Sequence, residues 1–387
     1  MTETARGPSA REGARVLFVL PLLGIGGAER QIAILIPGLI RRGFDVRVVT
    51  LNGEGQFFDE LRREGVELEC VGMRRRTDVR AIRRLLAMSS WQPDIVVTRS
   101  INAQILGHAL AAKVGAPHVT LEQTGPDANG RLRPMRRHQL ALLRLVAPRV
   151  TRVVAVSATQ VPGLIRYGYR EDRIEVIPNP VPDRLELTRS RSAARQQLGF
   201  GDDDFVVLLA AALRPEKRVP SFLRAIAKAR EADPSIRGVV VGDGPERERV
   251  ENAAVETGGS TQLLGARSDV PDLINASDAV CLASAYEAVP LVVLEAMAVG
   301  RPVVAPDVGG LRTLVQPDET GLLYEALDDD ALVAALVAVA GNRQRAREMG
   351  AAGSERKRTR FPLDGLVGAY ADVLQGATNG ARKVARI

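Results

Sequence analysis

Short apolar runs alternate with longer amphipathic ones along most of the chain. "VLFVLPL" (16–22) has the length and branching of a buried strand, and "AERQIAILIPGLIRRG" (28–43) repeats its apolar residues at helical spacing. "DVRVVTL" is the next strand, then "FFDELRREG" a helix, "VELECVG" a strand and "DVRAIRRLLAMSS" a helix. "DIVVTRS", "HVTLEQT" and "RVVAVS" continue the strand series. Such alternation predicts a parallel sheet covered by helices on both faces. The pattern pauses over "RIEVIPNPVPDRLELTRSRSAARQQLG", which is rich in Pro, Arg and Ser and reads as an interdomain connection. It restarts with "FVVLLAAAL", "PSFLRAIAKAREAD", "RGVVVGDGPERERV", "TQLLGA", "DVPDLINAS" and "DAVCLAS".

The expected fold is therefore α/β: two tandem Rossmann-like, doubly wound parallel-sheet domains facing a cleft. The expected bounds are a disordered segment over 1–14, an N-terminal domain over 15–185, a C-terminal domain over 186–365, and a helix and tail over 366–387 packing back on the N-terminal domain. Open α/β sheets bind ligands beyond the carboxyl ends of their strands, which makes the cleft the natural site.

Composition narrows the class. Of 387 residues, 45% are hydrophobic and 26% charged, enough for two sizeable cores in a soluble protein. Cys70 and Cys281 lie far apart in apolar strand-like segments, so no disulfide framework is expected and a reducing cytoplasm fits. His108, His118 and His138 lack metal-ligand spacing, and no metal site is expected. No run approaches the ~20 apolar residues of a spanning helix, and "VLFVLPLL" ends in a Gly-rich turn rather than a cleavage site. Residues 1–183 hold 27 Lys and Arg against 18 Asp and Glu; residues 184–387 hold 26 against 28. The excess positive charge thus belongs to the first half, pointing to an acidic or membrane-surface partner there. The bland alternative is an Arg-rich habit, since Arg outnumbers Lys 48 to 5. Aromatics make up only 4% and are not interleaved with the basic residues, which argues against nucleic acid.

Four segments carry candidate chemistry. In "PLLGIGGAERQ", Gly24, Gly26 and Gly27 follow a strand and open a helix, where backbone N–H groups can face an anion. A dinucleotide fingerprint is incomplete there: Glu29 stands at the third glycine, and no acid ends the second strand. Gly242 and Gly244 in "VVVGDGPERERV" end another strand, with Pro245 suited to a first helical position. In "AAALRPEKRVPSF", Arg214 and Lys217 lie at a strand end, a planar fork and a point charge that together suit a diphosphate; a solvated basic loop is the alternative. In "SAYEAVPLVVLEAMAVGRPVVAPDVGG", two carboxylates interrupt an apolar stretch: Glu287 in a loop at a carboxyl edge, and Glu295 on the helix that Pro290 opens. Carboxylates accept from paired sugar hydroxyls, and two at separate depths can grip two polyols of one elongated ligand.

Taken together, "GGAER", the "LRPEK" loop, "GDGPE" and above all the S-x-x-E-x-x-P-L-V-V-L-E-A-M-A-x-G-x-P-V-V-A-x-x-V-G-G pattern resemble the retaining family-4 glycosyltransferases of GT-B fold, over residues 15–375. The resemblance implies a nucleoside-diphosphate sugar co-substrate, with UDP expected ahead of GDP, bound mainly by the C-terminal domain and with no separate cofactor. It implies that Glu287 holds sugar hydroxyls and Glu295 the ribose, that Ala288, Val289, Pro290 and Leu291 line the sugar and phosphates, and that Lys217 meets the diphosphate. Gly26 and Gly27 match the N-terminal loop closing over the reaction centre. It also implies front-face, configuration-retaining transfer without a metal.

Two departures stand out. Ala211-Ala212-Leu213 replaces the family's Gly-Arg-Leu, so Arg214 is expected to substitute for that arginine. Gln123 replaces a frequent histidine and can orient but not exchange a proton, which leaves Glu122 as the nearest titratable group. The basic amphipathic segments "MRRRTDVRAIRRLL" and "RLRPMRRHQLALLRLVAPR" suggest a glycan, polyprenyl-linked or lipid acceptor and a peripheral position on the inner face of the plasma membrane. Solvated helix faces are the alternative. A catalytically weak or inactive nucleotide-sugar binder and a GT-B epimerase remain rival readings.

Overall fold

A computed structural model describes residues 13–24, 26–75, 77–123 and 137–384. Nearly all of the segment expected to be disordered, and residues 131–136 of the second basic segment, lie outside the described residues.

The first sheet has seven parallel strands in the order β3-β2-β1-β4-β5-β6-β7. They are β1 (Arg15–Leu20), β2 (Asp45–Thr50), β3 (Glu67–Cys70), β4 (Ile95–Arg99), β5 (His118–Glu122), β6 (Arg152–Ala155) and β7 (Ile174–Val176). The second has six, in the order β10-β9-β8-β11-β12-β13: β8 (Phe205–Ala210), β9 (Ile236–Val241), β10 (Thr261–Leu263), β11 (Ala279–Cys281), β12 (Val303–Pro306) and β13 (Gly321–Tyr324). Central β1 is buried from Val16 to Leu20, as a strand covered on both faces must be, and its register with β4 pairs Val16 with Ile95. The chain is thus two tandem parallel-sheet domains flanked by helices. Ile174–Val176, which the sequence reads as part of the connection, instead forms an edge strand; its Glu175 and Val176 are exposed, so it lacks the buried pattern of the others.

The helices of the first domain are α1 (Gly27–Arg41), α2 (Gln56–Arg63), α3 (Val79–Ala87), α4 (Ile101–Val114), α5 (Arg137–Val146) and α6 (Val161–Tyr167). Those of the second are α7 (Arg191–Gln197), α8 (Val219–Ala232), α9 (Arg247–Glu256), α10 (Val270–Ala276), α11 (Leu291–Ala298), α12 (Leu311–Leu314), α13 (Asp329–Gly341) and α14 (Arg343–Arg360). The last helix, α15 (Leu363–Val384), returns to the first domain. There Val367, Tyr370, Ala371 and Leu374 are buried in one cluster with Leu35, Ile36 and Leu39 of α1. A glycine inside a helix costs about 1 kcal/mol relative to alanine, yet α1 carries Gly38 at this contact. A Cβ there would stand 2.7 Å from Val367 Cγ1, so the close approach of α15 accounts for it.

The two crossings between domains are tied together. Lys357, 1% exposed, donates to Val181 O at 2.9 Å and pairs with Asp183, whose Oδ1 also accepts from Leu363 N at 3.1 Å. Among the described residues no helix is long and apolar enough to cross a membrane.

Under β4 and β5, His118 is buried with Nε2 2.8 Å from Thr98 Oγ1, and the His108 ring lies 5.5 Å away. Burial, helped by the nearby His108, pushes the His118 pKa down to about 3. An unfolded histidine takes its proton near pH 6.5, so stability present above that pH is lost as pH falls toward 3, by on the order of 1 kcal/mol per pH unit. Urea unfolding at pH 7 and pH 5 is expected to show this slope in the wild type, and His118→Gln is expected to reduce it.

Candidate functional site

The carboxyl ends of both sheets converge on the start of α11. Its sequence, LVVLEAMA, is apolar throughout except for Glu295, which is 3% exposed. Burial raises the Glu295 carboxyl above its ordinary value, and Arg30 of α1 acts against this from across the cleft, with Nη1 3.3 Å from Oε1. Glu287, in the loop between β11 and α11, is 7% exposed; Lys217 Nζ lies 2.5 Å from its Oε1, and Ser284 Oγ donates to the same oxygen at 2.6 Å. The loop bearing Lys217 is pinned alongside, because Ala285 N donates to Glu216 O at 2.8 Å. Two buried carboxylates, each facing a cation, thus flank the N-terminus of an apolar helix.

The segment between them is held from behind. Asn179 Nδ2, in the interdomain connection, donates to Val289 O at 2.8 Å. Gly310 N donates to Glu287 O at 3.1 Å, and a Cβ on Gly310 would lie 1.9 Å from Ala288 O. Gly309, at φ +55, approaches Glu287 O as closely. Pro290, expected as the first helical residue, is instead the N-cap, extended at φ −71 and ψ 128, and the helix begins at Leu291. From the other domain, Gly27 at the start of α1 packs near Leu291, with 3.8 Å between a Gly27 Cβ and Leu291 Cδ1. The neighbouring Gly26 is the N-cap of α1.

Other expected residues take supporting or peripheral places. Gly242 and Gly244 lie where a Cβ would strike Ala211 O and Leu213 O, so they let the β9–α9 loop close on the segment leading to Arg214. Pro245 does not open α9: it sits in a turn drawn onto that segment by a 3.0 Å bond from Glu246 N to Leu213 O, and the helix starts at Arg247. Arg214 is exposed and borders a groove with Arg218, Ser221, Arg224, Glu246 and Arg249.

Glu122 and Gln123 are not brought to one point. Glu122 accepts from Tyr169 OH at 3.0 Å and from Gln104. Gln123, 9% exposed, has both ends of its amide engaged: Nε2 donates to Gln31, and Oε1 accepts from Arg99 at 3.5 Å. Arg99 pairs in turn with Glu29 at 2.5 Å, and Gln31 donates to Tyr370 OH of α15 at 3.1 Å. Residues i and i+1 at a strand end point to opposite sides, so Glu122, at the preceding position, is not brought to where Gln123 lies.

Sequence reasoning missed Arg30, Ser284, Asn179 and Gly310 as members of this site. Ser284 and Gly310 lie inside the quoted pattern without a role, Arg30 ends "GGAER", and Asn179 stands between two prolines in a stretch read only as a connection. Among the described residues no group of three or more His, Cys, Asp or Glu side chains is placed to hold a metal ion.

This arrangement, two Rossmann-like domains with the site at their junction, is the GT-B fold. Residues 190–356 match the family described as glycosyl transferases group 1, and residues 25–185 match glycosyltransferase family 4. The chain belongs to this family of glycosyltransferases. It is 34% identical over 216 residues to a D-inositol 3-phosphate glycosyltransferase of Nocardia farcinica, covering 51% of this chain and 47% of the relative. It is 29% identical over 216 residues to an N-acetyl-alpha-D-glucosaminyl L-malate synthase of Bacillus anthracis, covering 54% and 56%. The chain spans about half the length of the curated relatives it matches. Anabaena Alr3699/HepE, solved with UDP and glucose, superposes with a TM-score of 0.83 at 22% identity, covering 94% of this chain and 100% of that one. Sucrose-phosphate synthase of Thermosynechococcus elongatus gives 0.81 at 19% identity, covering 95% and 100%.

Gly310→Ala is expected to force the Ala288 carbonyl aside at a cost of roughly 1–3 kcal/mol, a fall of about 3–10 °C in Tm for a domain of this size. Gly341→Ala, with open space around it, is the control and is expected to leave Tm unchanged or slightly raised. Differential scanning calorimetry of the two variants checks this.

Proposed function

We propose that the protein is a retaining, metal-independent glycosyltransferase that moves a hexose-type sugar from a nucleoside diphosphate, with UDP favoured, to an acceptor held by the N-terminal domain. The observation that carries this reading is the pair of buried carboxylates around the start of α11, each facing a cation. In this reading Glu295 accepts from two ribose hydroxyls and Glu287 from hydroxyls of the transferred sugar. Lys217 faces the diphosphate, assisted by the free N–H groups at the start of α11, and Arg214, exposed on the same loop, has to swing in from its groove to join it; Pro290 has no N–H to give. Those cations and dipoles stabilise charge on the departing group, an electrostatic strategy that calls for no protein nucleophile. The bond from the anomeric carbon to the phosphate oxygen breaks, and the bond to the acceptor oxygen forms on the same face. The acceptor proton passes to the departing phosphate. Gln123 cannot take that proton, and its amide is committed to Gln31 and Arg99, in keeping with leaving-group assistance.

The acceptor we infer is anionic or carried on an anionic surface. The first half of the chain holds the excess positive charge, and the named relatives act on inositol 3-phosphate and form a malate glycoside. Helix α5 adds two exposed leucines, Leu142 at 43% and Leu145 at 56%, beside Arg137 and Arg144. The committed amide of Gln123 is also what favours the second reading, a weakly active or silent binder of nucleotide sugars.

The first test is a thermal-shift screen with UDP, GDP, ADP, TDP and NADH on wild type and Glu295→Ala. Ligand at about 100 times Kd stabilises by roughly 2.7 kcal/mol, so one nucleoside diphosphate is expected to raise Tm by several degrees and Glu295→Ala to abolish the rise. Binding without sugar release or transfer to any acceptor establishes the silent-binder reading instead. For the acceptor side, flotation with anionic against neutral liposomes is expected to recover protein only with the anionic ones; absence from both removes the membrane element.

A further inference from the structure

Glu295 carries an unresolved electrostatic demand. Its Oε1 is buried and lacks an aligned hydrogen-bond donor among the described residues, although the Arg30 guanidinium lies 3.3 Å away. Arg30 belongs to the first helix of the other domain. The starts of α1 and α11 lie close together about one turn before Arg30, where a Cβ on Gly27 would come into van der Waals contact with Leu291. The Arg30 side chain is 29% exposed and that of Glu295 only 4%, so the cation borders the cleft while the anion lies in its wall.

The misalignment is informative. An ionised carboxylate has about four lone-pair sites. A guanidinium locked onto it in a two-pronged bond would fill the sites that a diol needs. One that neutralises the charge without hydrogen-bond alignment leaves them open. Removing such a partner leaves a buried charge uncompensated, which is far costlier than losing a surface pair.

We propose that Arg30, from the N-terminal domain, is a positioning residue of the donor site: it supplies the counter-charge that keeps Glu295 an acceptor for two ribose hydroxyls, so the ribose clamp is complete only when the two domains meet. This rests on the reading of Glu295 as the ribose acceptor. It divides the clamp between domains: the C-terminal domain contributes the acceptor, and the N-terminal domain contributes the charge that makes it usable. Donor recognition and the meeting of the domains thereby become one event.

The test titrates full-length wild type, Arg30→Met, Arg30→Lys and Glu295→Gln with UDP and with 2′,3′-dideoxyuridine diphosphate, by calorimetry. Arg30→Met is expected to weaken UDP roughly tenfold, from the uncompensated buried charge, and to change the dideoxy compound less than about twofold, because without the hydroxyls Glu295 has nothing to accept. Arg30→Lys is expected to recover most of the loss. Equal weakening of both ligands overturns the proposal, since Arg30 then acts on the diphosphate or on domain geometry. Unchanged UDP binding overturns it, and so does tighter binding in Arg30→Met, which makes the arginine a competitor. If wild type binds UDP but Glu295→Gln matches it in UDP affinity, the ribose reading itself fails and takes the proposal with it. Loss in Glu295→Gln without loss in Arg30→Met leaves that reading standing and removes only the role of Arg30.

Discussion

A carboxylate set in an apolar wall must be compensated, and much of this protein's organisation answers that demand. Glu295 is the only charged residue of α11, and Glu287 lies one loop earlier, both almost fully buried. Ionised groups in such surroundings persist when a cation stands close. The two cations arrive by different routes. Lys217 comes from the same domain, carried on a loop anchored through Glu216 and Ala285; Arg30 comes from the other domain, carried on a helix whose start abuts α11. Position and charge of the pair therefore require both sheets, two loops and the junction between domains at once.

The glycines and amides behind the pair serve the same end. Gly309 and Gly310 lie against the backbone from Glu287 to Ala288 at distances no side chain tolerates, and Asn179 holds the next carbonyl. A segment fixed on both sides in this way presents its carboxylate and its helix start without rearrangement. In the N-terminal domain the equivalent edge is occupied differently. The Glu29–Arg99 pair and the Gln123–Gln31–Tyr370 chain fill the space under the first Gly-rich turn. The polar groups there are spent on one another, which gives that edge a rigid floor rather than a free base.

Much of this was legible in the chain. Long strands such as Arg15–Leu20 and Phe205–Ala210 announce themselves by buried β-branched runs, and the restart of the pattern after the Pro-rich connection implies the second sheet. The carboxylate pair was legible for a physical reason: a charge in an apolar run is conspicuous. What escaped notice lacked such contrast. Three-residue β7 is half exposed, so no periodicity marks it. Arg30 and Asn179 act across the domain junction, and nothing local in "GGAER" or "IPNPVP" reveals a partner more than a hundred residues away. Pro290 was placed one step and Pro245 two steps too far into their helices because contacts to distant backbone, not local preference, decide where those turns end.

The return of α15 to the first domain has a consequence for how the molecule comes into being. The partner that Gln31 meets in Tyr370 lies 339 residues downstream. At the ~5–20 residues per second of ribosomal synthesis, that partner emerges on the order of half a minute after α1. Until then the flank of α1 at Gly38, which Val367 covers in the finished protein, stays bare, although the rest of the helix can already pack on the first sheet and α2. The second domain can be wholly translated in that interval, and the first to emerge is the last to be finished. A nascent chain of this design carries that one uncovered flank until α15 emerges. That makes α1 the stretch where a chaperone, or a neighbouring nascent chain, would find purchase.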